Sequence, residues 1–229
     1  MDFQGFPSDA LRFFELLAEN NNKAWFEEHR DAYIEVIQRP AVEFVLAVGV
    51  RLKEFVPGVQ VDTSVNGSGV LLRMNRDTRF SKDKSPYKTN ISGIFREGAG
   101  KKMETPGFGF QISAEDMRVM AGMFGFDKTT LDAYRQAVDT DASGKALVKA
   151  ADQVRKNGKY IINGQEYKKV PRGYDAEHPR AELLKYSGLW ASPPGGIPLS
   201  LVTTPDLVDA TVTHFKNMLP IEQWLSKWL

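Results

Sequence analysis

Apolar residues recur at helical spacing through the first third of the chain. After Pro7-Ser8, Leu11, Phe14, Leu17 and Ala18 repeat at three- and four-residue intervals, which predicts a helix with Ser8 as its N-cap. Asn20-Asn21-Asn22 stops that run and caps a second helix, from Lys23 to about Gln38. This helix stacks Trp25, Phe26, His29, Tyr33 and Ile37 along one stripe. Pro40 fits the first turn of a third helix, which carries Phe44, Val48 and Leu52 on to Phe55. Pro57-Gly58 ends it.

The period then changes. Val70 to Met74 alternates weakly, and Asn90 to Arg96 and Phe108 to Ser113 read as strands. Ala114-Glu115-Asp116 predicts a hairpin turn into a strand from Met117 to Phe124. Helices are expected again over Thr129 to Val138 and about Ala142 to Lys156. Asn163-Gly164 predicts a short hairpin with a type I′ turn. Arg180 to Tyr186 reads as a short helix and Ser200 to Thr203 as a last strand. Thr204-Pro205-Asp206 opens a long helix with Leu207, Phe215, Met218 and Leu219, and Pro220 begins a final turn. Helices, then antiparallel strands, then helices predict an α+β fold: N-terminal helices on a mainly antiparallel sheet, with further C-terminal helices. No repeat or linker interrupts the chain, so residues 1–229 are expected to form a single domain.

Composition narrows the function by exclusion. The 229 residues include no Cys, which removes disulfides, thiolate metal sites, iron–sulfur clusters and a cysteine nucleophile. His29, His178 and His214 stand far apart without metal-ligand spacing, so no metal site is assigned. No cofactor is specified either. Gly100-Lys101 and Gly144-Lys145 lack the leading glycine and the following Ser or Thr of a phosphate loop. Gly107-Phe108-Gly109 precedes a strand and is no dinucleotide fingerprint. The uncharged run 186–205 holds four Pro and cannot be a membrane helix. The expected setting is cytoplasmic.

Charge is uneven. The net formal charge is +1, but residues 1–62 carry 11 acids against 6 bases. Residues 73–102 carry 9 bases against 3 acids, and residues 149–172 carry 7 against 2. The first basic segment contains R-M-N-R-D-T-R-F-S-K-D-K-S-P-Y-K-T-N over residues 73–90. Arg73, Arg76, Arg79, Lys82, Lys84 and Lys88 supply cations, and Tyr87 and the Ser and Thr residues supply neutral donors. Arginine forks suit phosphate or carboxylate. Asp77 and Asp83 are the only nearby candidates for a general base, and they are equally suited to locking the neighbouring cations. In the second basic segment, Arg172 stands in Pro171-Arg172-Gly173-Tyr174 and adds a further ligand candidate. Tyr174, Asp175 and His178 offer either a hydrogen-bonded trio or a simple turn.

The string Arg76-Asp77-Thr78-Arg79-Phe80-Ser81-Lys82-Asp83-Lys84, followed by Pro86-Tyr87-Lys88, resembles the signature of the family named domain of unknown function 2461. Phe13, Leu17, Asn21-Asn22 and Trp25-Phe26 are similar to its opening motif, and Pro171 to Tyr174 with His178-Pro179 to a later one. The resemblance implies a cytoplasmic, single-domain α+β protein and carries over no reaction.

Three functions fit these residues. The first is a binding site, possessed by a small enzyme or a binding protein, for a small anionic ligand. The second is a structural or interaction protein whose basic loop is internally ion-paired. The third is a nucleic-acid module using Phe80, Tyr87 or Tyr160 to stack on bases; a net charge of +1 disfavours it.

Overall fold

The structure is a computed structural model that describes residues 3–98, 100 and 102–229. Its elements run α1 (Asp9–Glu19), α2 (Lys23–Glu28), α3 (Arg30–Tyr33), a π-helical turn (Ile34–Gln38) and α4 (Arg39–Leu52). Then follow β1 (Asn90–Arg96), β2 (Gly107–Ser113), β3 (Met117–Met123), α5 (Lys128–Asp139), α6 (Asp141–Asn157) and β4 (Ile161–Gln165). A 3₁₀ turn (Leu183–Lys185), β5 (Tyr186–Ser192), α7 (Leu199–Val202) and α8 (Asp206–Trp228) complete the chain. Five strands form one sheet in the order β1-β2-β3-β5-β4. The α+β class read from the hydrophobic pattern is the class observed.

Contacts divide the chain into two compact units. The first takes the residues up to Phe95, with Gly109–Val119 and Gly195–Thr213. Its core is aromatic: Phe44 of α4 meets Phe3, Phe6 and, edge-on at 5.1 Å, Phe110 of β2. Asn22 caps α2 as expected, its side-chain oxygen accepting the Trp25 N–H at 3.0 Å. Ser8 does not cap α1: it is itself helical, and its side chain makes no capping bond. Pro40 stands in the first turn of α4, as expected, although the helical path before it is unbroken. The helical path runs on from Arg30 to Leu52, and the π-helical turn lies just ahead of Pro40. A proline lacks an N–H and crowds the carbonyl four residues back, and widening the preceding turn relieves that crowding. Val70 to Met74 is not a strand. Only isolated bridges tie the segment down, Leu71 to Gly93 and Asn75 to Tyr87. Ser200 to Thr203 falls in and beside α7, where Pro198 turns the chain and accepts the Leu201 N–H at 3.0 Å.

The second unit takes Arg96–Phe108, Met120–Pro194 and His214–Leu229. Tyr134 is fully buried at its centre, edge-on to Trp224 at 5.9 Å, with its hydroxyl donating to the Leu183 carbonyl at 2.9 Å. Asn163-Gly164 is no hairpin. It lies inside β4, which pairs antiparallel with β5 through Ile162–Ala191 and Asn163–Trp190. Gly164 adopts φ +110°, and a Cβ there would stand 2.0 Å from the Gly188 carbonyl oxygen, so the glycine marks a bulge pressed against β5. The helix read over Arg180 to Tyr186 shortens to the 3₁₀ turn, and Tyr186 already belongs to β5. Pro220 does not break α8, because Met218, Ile221, Trp224 and Leu225 bury the helix on both sides of it. That burial outweighs a proline cost of about 3 kcal/mol.

One carboxylic acid sits inside this second unit. Glu222 is 2% exposed, and burial pushes its pKa up to about 7, against the Ser226 hydroxyl that donates to it at 2.8 Å. Its folded pKa lies above its unfolded value, so the folded chain holds a proton that the unfolded chain has released. The contribution of this group to stability is therefore full below about pH 4.5 and is lost as pH rises through about 7. Glu222→Gln is expected to remove that slope and to raise stability at pH 7.5 by on the order of 2 kcal/mol. Chemical denaturation at pH 5 and pH 7.5 checks it.

Candidate functional site

The segment 73–90 is a two-armed excursion of the first unit. Its arms are closed by the Asn75–Tyr87 bridge and by backbone bonds from Arg76 to Pro86 and from Lys88 to Met74, each 2.9 Å. Asn21 holds the returning arm. Its side-chain oxygen accepts the Tyr87 N–H at 3.0 Å, and its side-chain N–H donates to the Tyr87 carbonyl at 2.9 Å. The Tyr87 ring is buried and stacked on Phe26 at 4.1 Å. Tyr87 therefore anchors the loop, and its ring faces the core rather than a ligand.

Beyond the bridge the loop braces itself. Arg76 donates to the Asp83 carboxylate and to the Ser85 carbonyl, the latter at 3.2 Å. Asp83 also accepts the Ser85 N–H at 2.9 Å and its hydroxyl at 2.6 Å. Arg79 grips both oxygens of Asp77, and Lys84 donates to the Thr78 carbonyl at 2.9 Å. The Arg79 guanidinium holds the Asp77 carboxyl at a pKa of about 2, and the Ser85 donors with Arg76 hold Asp83 at about 2. Carboxylates held this low are weak proton acceptors at neutral pH. Phe80 stands at the tip, 94% exposed, with the Arg79 guanidinium over its ring.

The remaining cations are different. Among the described residues, Arg73, Lys82 and Lys88 have no acidic partner, and no acid of α1–α4 pairs with any cation of residues 73–88. Arg73 and Lys82 are exposed. Lys88 is partly buried at the base of the loop, and its pKa is lowered, first by desolvation and then by repulsion from Arg73. The fold thus holds two like charges at one place without an ion-paired acid, the nearby Asp77 that Arg73 feels being gripped by Arg79.

Profile comparison against protein families matches residues 9–224 to the family described as Conserved hypothetical protein (DUF2461). The chain belongs to the DUF2461 family. The match takes in the basic loop, the helices before it and the Pro171–His178 stretch. No curated protein and no solved structure gives a significant match to this DUF2461 chain. Among the described residues, no helix is long and apolar enough to cross a membrane.

The later stretch belongs to the second unit. Arg172 is exposed on a turn and has no partner among the described residues. The Tyr174-Asp175-His178 group resolves into a turn: Asp175 accepts the Glu177 N–H at 3.0 Å, and the His178 N–H reaches the Asp175 carbonyl at 3.2 Å. His178 serves Arg180 instead. Its Nδ1 accepts the Arg180 backbone N–H at 3.0 Å, and its Nε2 lies 3.5 Å from Asp139. Arg180, 7% exposed, donates to the carbonyls of Val138 at 2.7 Å and Asp139 at 2.9 Å and to the Asp141 carboxylate at 3.2 Å. The false phosphate-loop glycine has its explanation here. A Cβ at Gly144 would lie 2.3 Å from the Val138 carbonyl oxygen and 2.4 Å from Arg180 Nε, so the glycine makes room for the guanidinium and for the carbonyl it donates to. Charge spacing alone gives no warning of Arg180, because its partners are backbone carbonyls forty residues away.

Proposed function

We propose that this DUF2461 protein binds a small phosphate- or carboxylate-bearing molecule in the cytoplasm, at the base of its basic loop. One observation supports the reading above the others: Lys88 is partly buried beside Arg73, forms no ion pair, and feels only the repulsion of that second cation. Holding a lysine in that position costs stability unless an anion completes it. Arg73 supplies a planar fork for two anion oxygens and Lys88 a point charge. Lys82 and Lys84 extend the positive rim, while Arg76 and Arg79 keep the loop in shape through Asp83 and Asp77. Charge neutralisation of this kind serves binding and transfer chemistry alike.

The internally paired loop favours a second reading, a structural staple. Nucleic-acid stacking has less support, since Tyr87 and Tyr160 are buried and Phe80 alone offers a ring. A thermal-shift screen with inorganic phosphate, sugar phosphates and dicarboxylates separates the first two. A ligand at a hundred times its dissociation constant adds about 2.7 kcal/mol. That gain is expected in wild type and in Phe80→Ala, and is expected to vanish in Arg73→Ala and Lys88→Ala. If no anion shifts the melt while Arg76→Ala and Arg79→Ala melt well below wild type, the loop is a staple.

A further inference from the structure

The second unit carries a cleft of about 240 Å³ between α6 and the segment that leads into the 3₁₀ turn. Its surface is mostly apolar, with Val148 and Ala151 of α6 on one side and Leu183 on the other. Arg155, His178, Arg180 and Glu182 supply its charged and polar groups. Pockets for drug-sized ligands run from about 300 Å³ upward, so the occupant that fits here is small.

The polar groups of the cleft are committed elsewhere except at its two guanidiniums. Glu182 is held by Lys185 and by the Gln165 amide, the latter at 3.0 Å. His178 accepts the Arg180 backbone N–H on Nδ1, so the neutral ring carries its proton on Nε2, 3.5 Å from Asp139. Arg155 gives Nη1 to Asp152 at 3.1 Å, and its Nε and Nη2 have no partner among the described residues. Arg180 spends Nε and Nη2 on Val138, Asp139 and Asp141, while its Nη1 donates to nothing among the described residues. The fully buried side-chain atoms without a partner there belong to Asn90, Arg135 and Thr211, so Arg180 Nη1 keeps accessible surface. The rest of that side chain is enclosed, at 6% exposure, where a bond to a charged group counts for more than in water. Spare N–H donors on two arginines, with the one carboxylate already neutralised, call for an anion. A doubly charged one loses too much hydration in a mostly apolar cleft. A carboxylate brings a single charge and two acceptor oxygens, and a hydrocarbon body behind it covers Val148, Ala151 and Leu183.

We propose that this cleft binds a small monocarboxylate with a short hydrocarbon body, its carboxylate accepting from Arg155 and from Arg180 Nη1. The site stands in a different unit from Arg73 and Lys88 and does not depend on them. The test is a ¹H–¹⁵N NMR titration of the full chain with sodium butyrate and sodium benzoate, set against sodium chloride, inorganic phosphate and 1-butanol at equal ionic strength. The two carboxylates are expected to move the amide signals of Val148, Ala151, Ala181 and Leu183 and the Nε–H signal of Arg180, and to do so equally in Lys88→Ala. Arg155→Gln is expected to weaken that binding about fivefold. Val148→Glu, which sets a like charge at the mouth, is expected to weaken it at least tenfold. Both positions are exposed on α6, at 52% for the Arg155 side chain and 40% for Val148, so both variants are expected to keep the wild-type spectrum elsewhere. Arg180 is left intact because it clamps the end of α5. Equal shifts with chloride, phosphate or butanol overturn the proposal. So does carboxylate binding that is unchanged in both variants, loss of these shifts in Lys88→Ala, or an absence of shifts at these residues with butyrate and benzoate.

Discussion

Replacing Tyr87 by alanine is expected to cost about 3–5 kcal/mol of stability, lowering the melting temperature by ~10 °C. The ring is buried against Phe26 at 4.1 Å. Tyr87→Phe keeps the stack and is expected to stay within about 1 kcal/mol of wild type. Asn21→Ala removes the side chain that pairs with both polar groups of the Tyr87 backbone and is expected to cost about 1–2 kcal/mol. Thermal melts of the three variants rank these effects. An alanine variant as stable as the phenylalanine variant would show that the loop is not fastened through this ring.

Arg180→Met is expected to cost about 3–5 kcal/mol. Its guanidinium is enclosed, and removing it strips the donors from the Val138 and Asp139 carbonyls at the end of α5 while leaving the hole that Gly144 creates. Methionine fills part of the volume, so the loss is chiefly of hydrogen bonds. The double variant Arg180→Met, Gly144→Ala is expected to lose less than the sum of the two single variants. Gly144→Ala alone forces a Cβ against both the Val138 carbonyl oxygen and the guanidinium, and the double variant relieves the second of these clashes only. Urea denaturation of the singles and the double measures that coupling. Simple additivity would mean that Gly144 and Arg180 are independent.

Much of the fold is legible in the hydrophobic pattern where the period is strong. The helices around Phe14 and Phe44, the strands β1 to β3 and the pair α5 and α6 stand where alternation or a 3.6-residue stripe puts them, while the single helix expected from Lys23 to about Gln38 breaks at His29 into α2 and α3 and ends in the π-helical turn. Misreadings come from local signals overruled by packing at a distance. Asn163-Gly164 is a strong turn dipeptide, yet β5 recruits it into a strand. Strand β5 itself hides inside a run without charges that four prolines make look like coil. Pro220 looks like the start of a separate turn and stands inside α8 instead, between buried residues. The site follows the same logic. The cations of the loop are plain in the residue string, but which of them are offset is set by side-chain geometry: Asp83 chooses Arg76, Asp77 chooses Arg79, and Lys88 is left beside Arg73.

The most direct test of the anion site is the protonation of Lys88 itself, followed by NMR of its side-chain carbon next to Nζ, with Lys88→Arg used to assign the signal. In buffer free of binding anions its pKa is expected below that of ordinary lysines, because burial and Arg73 both disfavour its charge. Adding inorganic phosphate or a dicarboxylate at moderate salt is expected to raise that pKa toward or above the ordinary lysine range, and Arg73→Ala is expected to weaken the response. A Lys88 that titrates like a surface lysine, and that no anion moves, would contradict the account.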